Sequence, residues 1–257
     1  MPFFEHHGLR THFEFAHHPG QPVLVFSNSL GATLSMWDPQ VAELGPHFSI
    51  LRYDTRGHGE SSVPRGPYRI EQLGEDLIAL LDHLELERVH LCGLSMGGAV
   101  AQWVAAHAGQ RLNKLVLAST AVKFGTIAGW NERIETVGAQ GMASIAAATM
   151  ERWFTERYRW SEPDVVAGIR QEFERCDPEG YSACCAAVRD ADLRGDLEKI
   201  TAPTLVIFGT QDPSTTGMDA GFIAAHLSEE HVADLDAAHL LNIEKASGFN
   251  KLLREFL

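Results

Sequence analysis

The chain has 257 residues, 45% hydrophobic and 21% charged, an ordinary globular composition with room for one large α/β domain carrying an insertion, or for two small domains. A net charge of −13 argues against nucleic acid or an anionic membrane surface as partner, and an anionic ligand would need a local cluster of Arg or Lys. No apolar run approaches the roughly 18 residues of a membrane span, and "MPFFEHHGLRTHFEF" lacks the basic and apolar regions of a secretion signal.

In chain order, "FFEHHGLRTHFEFA" reads as an antiparallel hairpin at a sheet edge. "PVLVFSN" (Pro22 to Asn28) and "HFSILRYD" (His47 to Asp54) are short apolar runs closed by turn residues, the pattern of buried strands. Next, Ile70, Leu73, Leu77, Leu80, Leu81 and Leu84 recur at helical spacing. "RVHLCGL" predicts a strand, "SMGGAVAQWVAAHA" a helix, and "LNKLVLAST" (Leu112 to Thr120) another strand. The strand–helix alternation then stops. Residues 121 to 195 hold three of the five tryptophans and runs such as "MASIAAATMERWF", which predict an all-helical insert. "APTLVIFGTQD" and "HVADLDAAH" resume the strands, and residues 246 to 257 close with a helix. This order predicts an α/β fold with a mostly parallel, doubly covered sheet. The core would comprise residues 1–120 and 196–257, with 121–195 as a helical lid.

The motif that carries chemistry is "GLSMG", which fits G-x-S-x-G around Ser95. The pattern is short, but here a strand precedes it and a helix follows. At such a corner the serine hydroxyl is exposed above the sheet, and Gly93 and Gly97 remove side chains that would strike neighbouring backbone. The start of the following helix also favours negative charge at that point. A serine nucleophile needs a base, and the base needs an orienting acid. Asp212, after "TLVIFG", and His239, in "LDAAHLLNIE", each follow a strand, where open α/β sheets place their sites. Position decides here, because the chain has 13 histidines. Asp236 is the rival acid, expected to lie on the strand and to face elsewhere. Oxyanion donors are expected from the backbone N–H groups of Met96 and of Leu30, in "SNSLGATLSMW", where Gly31 lets the chain turn close to the site. "YDTRGHGESS" reads as scaffolding, His58 included.

"CGLSMGG", "RYDTRGHGESS", "GTQDP" and "DAAHLLNIE" in this order resemble the α/β-hydrolase superfamily. "SNSLGATLSMWDPQ", "GPYRIEQLGEDLIALLD", "RWFTERY" and "GYSACCAAVRDADLR" resemble its 3-oxoadipate enol-lactonase branch, over nearly the whole chain. The resemblance implies hydrolysis of a small anionic lactone, a cyclic enol ester bearing a carboxymethyl group, to 3-oxoadipate in aromatic-compound catabolism, with no cofactor. A carboxylesterase, a perhydrolase or a C–C bond hydrolase would carry the same triad, and a ligand-binding protein on this fold is the reading from another class. Ser95 argues against the dehalogenases and epoxide hydrolases, which place an aspartate at the elbow. An anionic substrate calls for a cation in the pocket, and Arg133 is the candidate. It lies one helical step after Trp130, which would wall the ring; the competing expectation is a solvated Arg133 paired with nearby glutamates. No His, Cys and carboxylate cluster suggests a metal. Cys92, Cys176, Cys184 and Cys185 fit no zinc spacing, and the vicinal pair is a poor disulfide, so reduced thiols and a cytoplasmic location are expected. The sequence leaves the oligomeric state open.

Overall fold

A computed structural model describes residues 2–228 and 230–257. The chain opens with β1 (Phe3–His6) and β2 (Leu9–Ala16), followed by β3 (Val23–Ser27), α1 (Asp38–Leu44), β4 (Ser49–Tyr53) and α2 (Ile70–His83). Then come β5 (Val89–Leu94), α3 (Met96–His107) and β6 (Leu112–Ala118). Five helices separate β6 from the rest of the sheet: α4 (Ile127–Gln140), α5 (Ala143–Trp153), α6 (Glu156–Ser161), α7 (Pro163–Glu174) and α8 (Pro178–Asp190). The chain ends with β7 (Thr204–Gly209), α9 (Gly217–Ala224), β8 (Glu230–Leu235), α10 (Leu241–Glu244) and α11 (Ala246–Phe256).

The eight strands form one sheet in the order β1-β2-β4-β3-β5-β6-β7-β8. The first two pairings, β1 with β2 and β2 with β4, are antiparallel, and the rest are parallel. All six residues of β5 are buried, so helices cover both faces of the sheet at its centre, as a parallel strand requires. The apolar stripe of α2 is buried through Ile70, Leu73, Leu77, Leu80 and Leu81; Leu84 falls just past the helix end.

Two features of this order locate the site. The chain runs from β3 to β4 on one side and then returns to β5 on the other, so the order reverses between β3 and β5. Loops that leave the carboxyl ends of two such strands diverge and open a crevice. The loops after β3 and β5 are those of Leu30 and Ser95. The inserted helices α4 to α8 do not form a separate body. Phe154, Phe173, Tyr181, Cys184 and Cys185 are buried in the same apolar core as the sheet residues. The insert is also tied to the sheet by polar contacts: Ser35 Oγ donates to Glu172 Oε2 at 2.7 Å, and Leu240 N donates to Trp153 O at 3.0 Å. No described helix is long and apolar enough to cross a membrane.

Candidate active site

Ser95 lies between β5 and α3 with φ 58° and ψ −116°, a region that side chains avoid. The corner is held from both sides. Ser95 N donates to Ala118 O at 2.9 Å, and Thr120 Oγ1 donates to Ser95 O at 2.8 Å. The glycines around it are sterically required. A Cβ on Gly93 would strike the carbonyl of Gly97, and one on Gly97 would strike the carbonyl of Ser27 in β3.

Asp212 and His239 come from the loops after β7 and β8, and His239 Nδ1 lies 2.7 Å from Asp212 Oδ2. Thr215 Oγ1 donates to the same oxygen at 2.7 Å, while Ser214 N and Thr215 N donate to Oδ1 at 2.7 and 3.2 Å. Burial by itself would raise the Asp212 carboxyl. The His239 ring, Thr215 and the Ser214 N–H outweigh it and hold the carboxyl below its ordinary value. Asp236 is not on the strand as expected: β8 ends at Leu235, where Ala237 N turns back onto Leu235 O at 2.8 Å. Asp236 is exposed at that turn and accepts from Gln211 Nε2 at 2.6 Å.

Ser95 and His239 both line a cavity of about 410 Å³ beneath the insert, together with Leu30, Met96, Trp130 and Arg133. Among the described residues, neither Leu30 N–H nor Met96 N–H has an acceptor inside the protein. The Leu30 loop is fixed by Asn28, whose Nδ2 donates to Tyr53 O at 2.7 Å and whose Oδ1 accepts from Trp37 Nε1 at 2.9 Å. Trp130 is anchored by its indole N–H to Phe124 O at 2.9 Å.

Residues 22–142 match a family model described as the alpha/beta hydrolase fold. The chain is 44% identical to 3-oxoadipate enol-lactonase 2 of Acinetobacter baylyi, over 90% of this chain and 86% of that protein. The chain belongs to the enol-lactonase branch of the alpha/beta hydrolases. The enol-lactonase from Burkholderia xenovorans LB400 superposes with a TM-score of 0.97 at 42% identity, covering 99% of both chains. A thermophilic esterase from Thermogutta terrifontis is similar at 29% identity and a TM-score of 0.90, over 96% of this chain and 92% of that one.

In this enol-lactonase relative, Arg133 does not pair with the neighbouring glutamates. Its Nε donates to Tyr181 Oη at 2.6 Å and its Nη2 to Thr149 Oγ1 at 2.9 Å. A second arginine, Arg152, lines the same cavity and donates to Thr149 Oγ1 at 3.1 Å. Burial and the nearby Arg133 charge both depress the Arg152 guanidinium. Among the described residues, neither arginine has a carboxylate within ion-pair distance, so two cations face one cavity uncompensated.

Sequence reasoning missed Arg152, Tyr181 and Thr215. Thr215 had a signal, since a threonine three residues after a loop aspartate can reach back to it. Arg152 and Tyr181 fall inside strings that carry the family resemblance, but no local pattern marks them as site residues: they sit on α5 and α8, and only tertiary packing brings them to Arg133. Among the described residues no group of three or more His, Cys, Asp or Glu side chains could hold a metal. The four cysteines are free thiols, three of them buried, and burial pushes the Cys185 thiol up to about 12.

Proposed function

We propose that the chain hydrolyses a small carboxylate-bearing enol-lactone, 3-oxoadipate enol-lactone, by a serine mechanism. The carrying observation is a single cavity lined by a serine on a strained elbow, by His239 backed by Asp212, and by two arginines without carboxylates. The sequence identity to the named enol-lactonases supports the choice of substrate.

Ser95 attacks the lactone carbonyl while His239 takes its proton, and Asp212 holds the imidazole and stabilises its charge. Leu30 N–H and Met96 N–H receive the oxyanion of the tetrahedral intermediate, at the positive start of α3. The acyl–oxygen bond of the ring then breaks. The enolate leaves, takes from His239 the proton that Ser95 gave up, becomes a ketone, and stays tethered to the acyl chain, so that His239 is again free to act as base. Water that has given its proton to His239 attacks the acyl carbonyl, and Ser95 recovers its proton as 3-oxoadipate departs. Helices α4 to α8, with residues 121–195 as a lid, wall the pocket from water, and Trp130 flanks the ring.

Arg133 binds the substrate carboxylate, because burying that group unpaired in a chain of net charge −13 would be costly. Loss of one partner of such a buried charge pair costs roughly 2–5 kcal/mol. Arg133→Ala is therefore expected to lower kcat/KM for the lactone by at least about 30-fold, at about 1.4 kcal/mol per tenfold. A neutral chromogenic ester should be hardly affected, and a serine-directed phosphonate should abolish both activities. Steady-state kinetics on the two substrates checks this. Equal losses would mean a disturbed pocket, and a phosphonate-resistant activity would end the serine reading.

A further inference from the structure

The oxyanion loop is gripped by a residue outside the triad. Gly31, directly after Leu30, adopts φ +83° and donates its N–H to His58 Nε2 at 2.8 Å. His58 comes from the loop after β4 and is 2% exposed. For Nε2 to accept, it must carry a lone pair, so the ring proton sits on Nδ1. Nδ1 faces Arg56 O at 3.4 Å and Cys184 Sγ, on α8, at 3.9 Å. We propose that His58 is a positioning residue for catalysis, which through Gly31 N–H holds the Leu30 peptide in the orientation that binds the oxyanion. The proposal rests on the serine-hydrolase reading given above.

Three independent features support it. First, the support is rigid: His58 N donates to Thr55 O at 2.9 Å, and Ser61 N donates to His58 O at 3.1 Å. Asp54 braces the same loop by accepting from Glu60 N at 3.0 Å. Second, the loop has its other grips elsewhere. Asn28 fixes the residues before Leu30, and His58 fixes the residue after it, so the Leu30 N–H is clamped from both sides. Third, the insert presses on the same point. A Cβ on Gly31 would lie 2.6 Å from the Phe173 ring and 3.1 Å from the Tyr181 ring, so the two rings pack directly against this face of the loop. Burial keeps the His58 imidazole below its ordinary value, although the Arg56 carbonyl, Asp54 and Asp177 oppose this, and that maintains the accepting form. A protonated Nε2 would set a donor against the Gly31 N–H and push the loop away.

The test compares two variants and one spectrum. His58→Leu fills the space without an acceptor, and His58→Gln can present an oxygen near the Nε2 position. A misplaced donor of about 1 Å costs on the order of 10²-fold. His58→Leu is expected to keep its circular dichroism while kcat on the chromogenic ester falls about 10²-fold and KM changes less than about threefold. Its Ki for a boronic acid, which makes a tetrahedral adduct at the serine, should rise in step. His58→Gln should recover most of the loss. In the unaltered protein, long-range ¹H–¹⁵N spectra should show an unprotonated Nε2 at neutral pH, a result that stands even where the Leu variant does not fold. Full kcat in His58→Leu, no recovery in His58→Gln, or a protonated Nε2 overturns the proposal. Ser95→Ala separates the two ideas. An active Ser95→Ala overturns the hydrolase reading and this proposal together, whereas an inactive one beside a fast His58→Leu overturns this proposal alone.

Discussion

Ser95 shows how much local strain one residue carries when its surroundings fix it. Its positive φ costs on the order of 1–3 kcal/mol, and the contacts with Ala118 and Thr120 hold the backbone there against that cost. Asp212 is the complementary case, a carboxylate satisfied by four donors including the His239 ring. Asp236 shares none of these partners and lies at the surface. Asp212→Asn should leave a folded protein whose kcat falls by on the order of 10⁴, because an amide at that position orients the wrong imidazole tautomer. Asp236→Asn should fall within about twofold of the unaltered protein. Ester hydrolysis rates on both variants check this, and the reverse ranking would move the acid to Asp236.

At the scale of elements, the site exists because β3, β5 and α3 approach more closely than side chains permit. The carbonyl of Ser27 occupies the place where a Gly97 Cβ would stand. Alanine favours a helix over glycine by about 1 kcal/mol, so the sign of a Gly→Ala change separates local propensity from packing. Gly97→Ala should destabilise by about 1–3 kcal/mol, because the backbone itself would have to move. Gly138→Ala, exposed within α4 with nothing within 4 Å of a Cβ, should stabilise by up to about 1 kcal/mol. Urea unfolding of the two variants measures both signs. A stabilised Gly97→Ala would mean that helix and strand are less tightly joined than described.

For the whole molecule, two buried histidines, His90 and His58, contribute to the response to acid. His90, on β5, is buried with its Nδ1 unpartnered, and burial, with the Lys114 charge, lowers it to about 4. Its unfolded value is near 6.5. Below pH 6.5 the unfolded chain takes up a proton that the folded chain refuses, so stability falls as pH falls and levels off near pH 4. Above pH 6.5 neither state is charged at His90, and no penalty applies. Discounted for solvent screening, the loss is about 2 kcal/mol. His58 acts in the same direction. His90→Leu should narrow the gap in unfolding free energy between pH 7.5 and pH 4.5 by about 2 kcal/mol, as read from urea midpoints. An unchanged gap would show that His90 is protonated in the folded state.

What the sequence determined by itself was whatever a local pattern encodes. Short apolar runs closed by turn residues, and helical stripes, mark β3, β5, β6, β7 and α2 within a few residues of their ends, because burial on both faces of a sheet or on one face of a helix dictates where apolar side chains fall. The glycines around Ser95 were legible for the same reason: a strand turning directly into a helix leaves no space for a Cβ at Gly93 or Gly97. Asp212 and His239 could be picked out by their place after strands, and the structure brings their side chains to 2.7 Å. The strand order, and with it the crevice between β3 and β5, depends on which strands pair across the sheet, and no local window contains that information. Arg152 and Tyr181 reach Arg133 only because three inserted helices pack together; each alone is an unremarkable residue on an amphipathic helix. His58, which reads as scaffolding in a turn-rich loop, meets Gly31 across 27 residues of chain. A hydrogen bond over that separation is decided by how the loops of two neighbouring strands, β3 and β4, fold over the carboxyl ends of the sheet. The sequence therefore determined the chemistry of the nucleophile, and the tertiary structure decided what holds the substrate and the oxyanion loop in place.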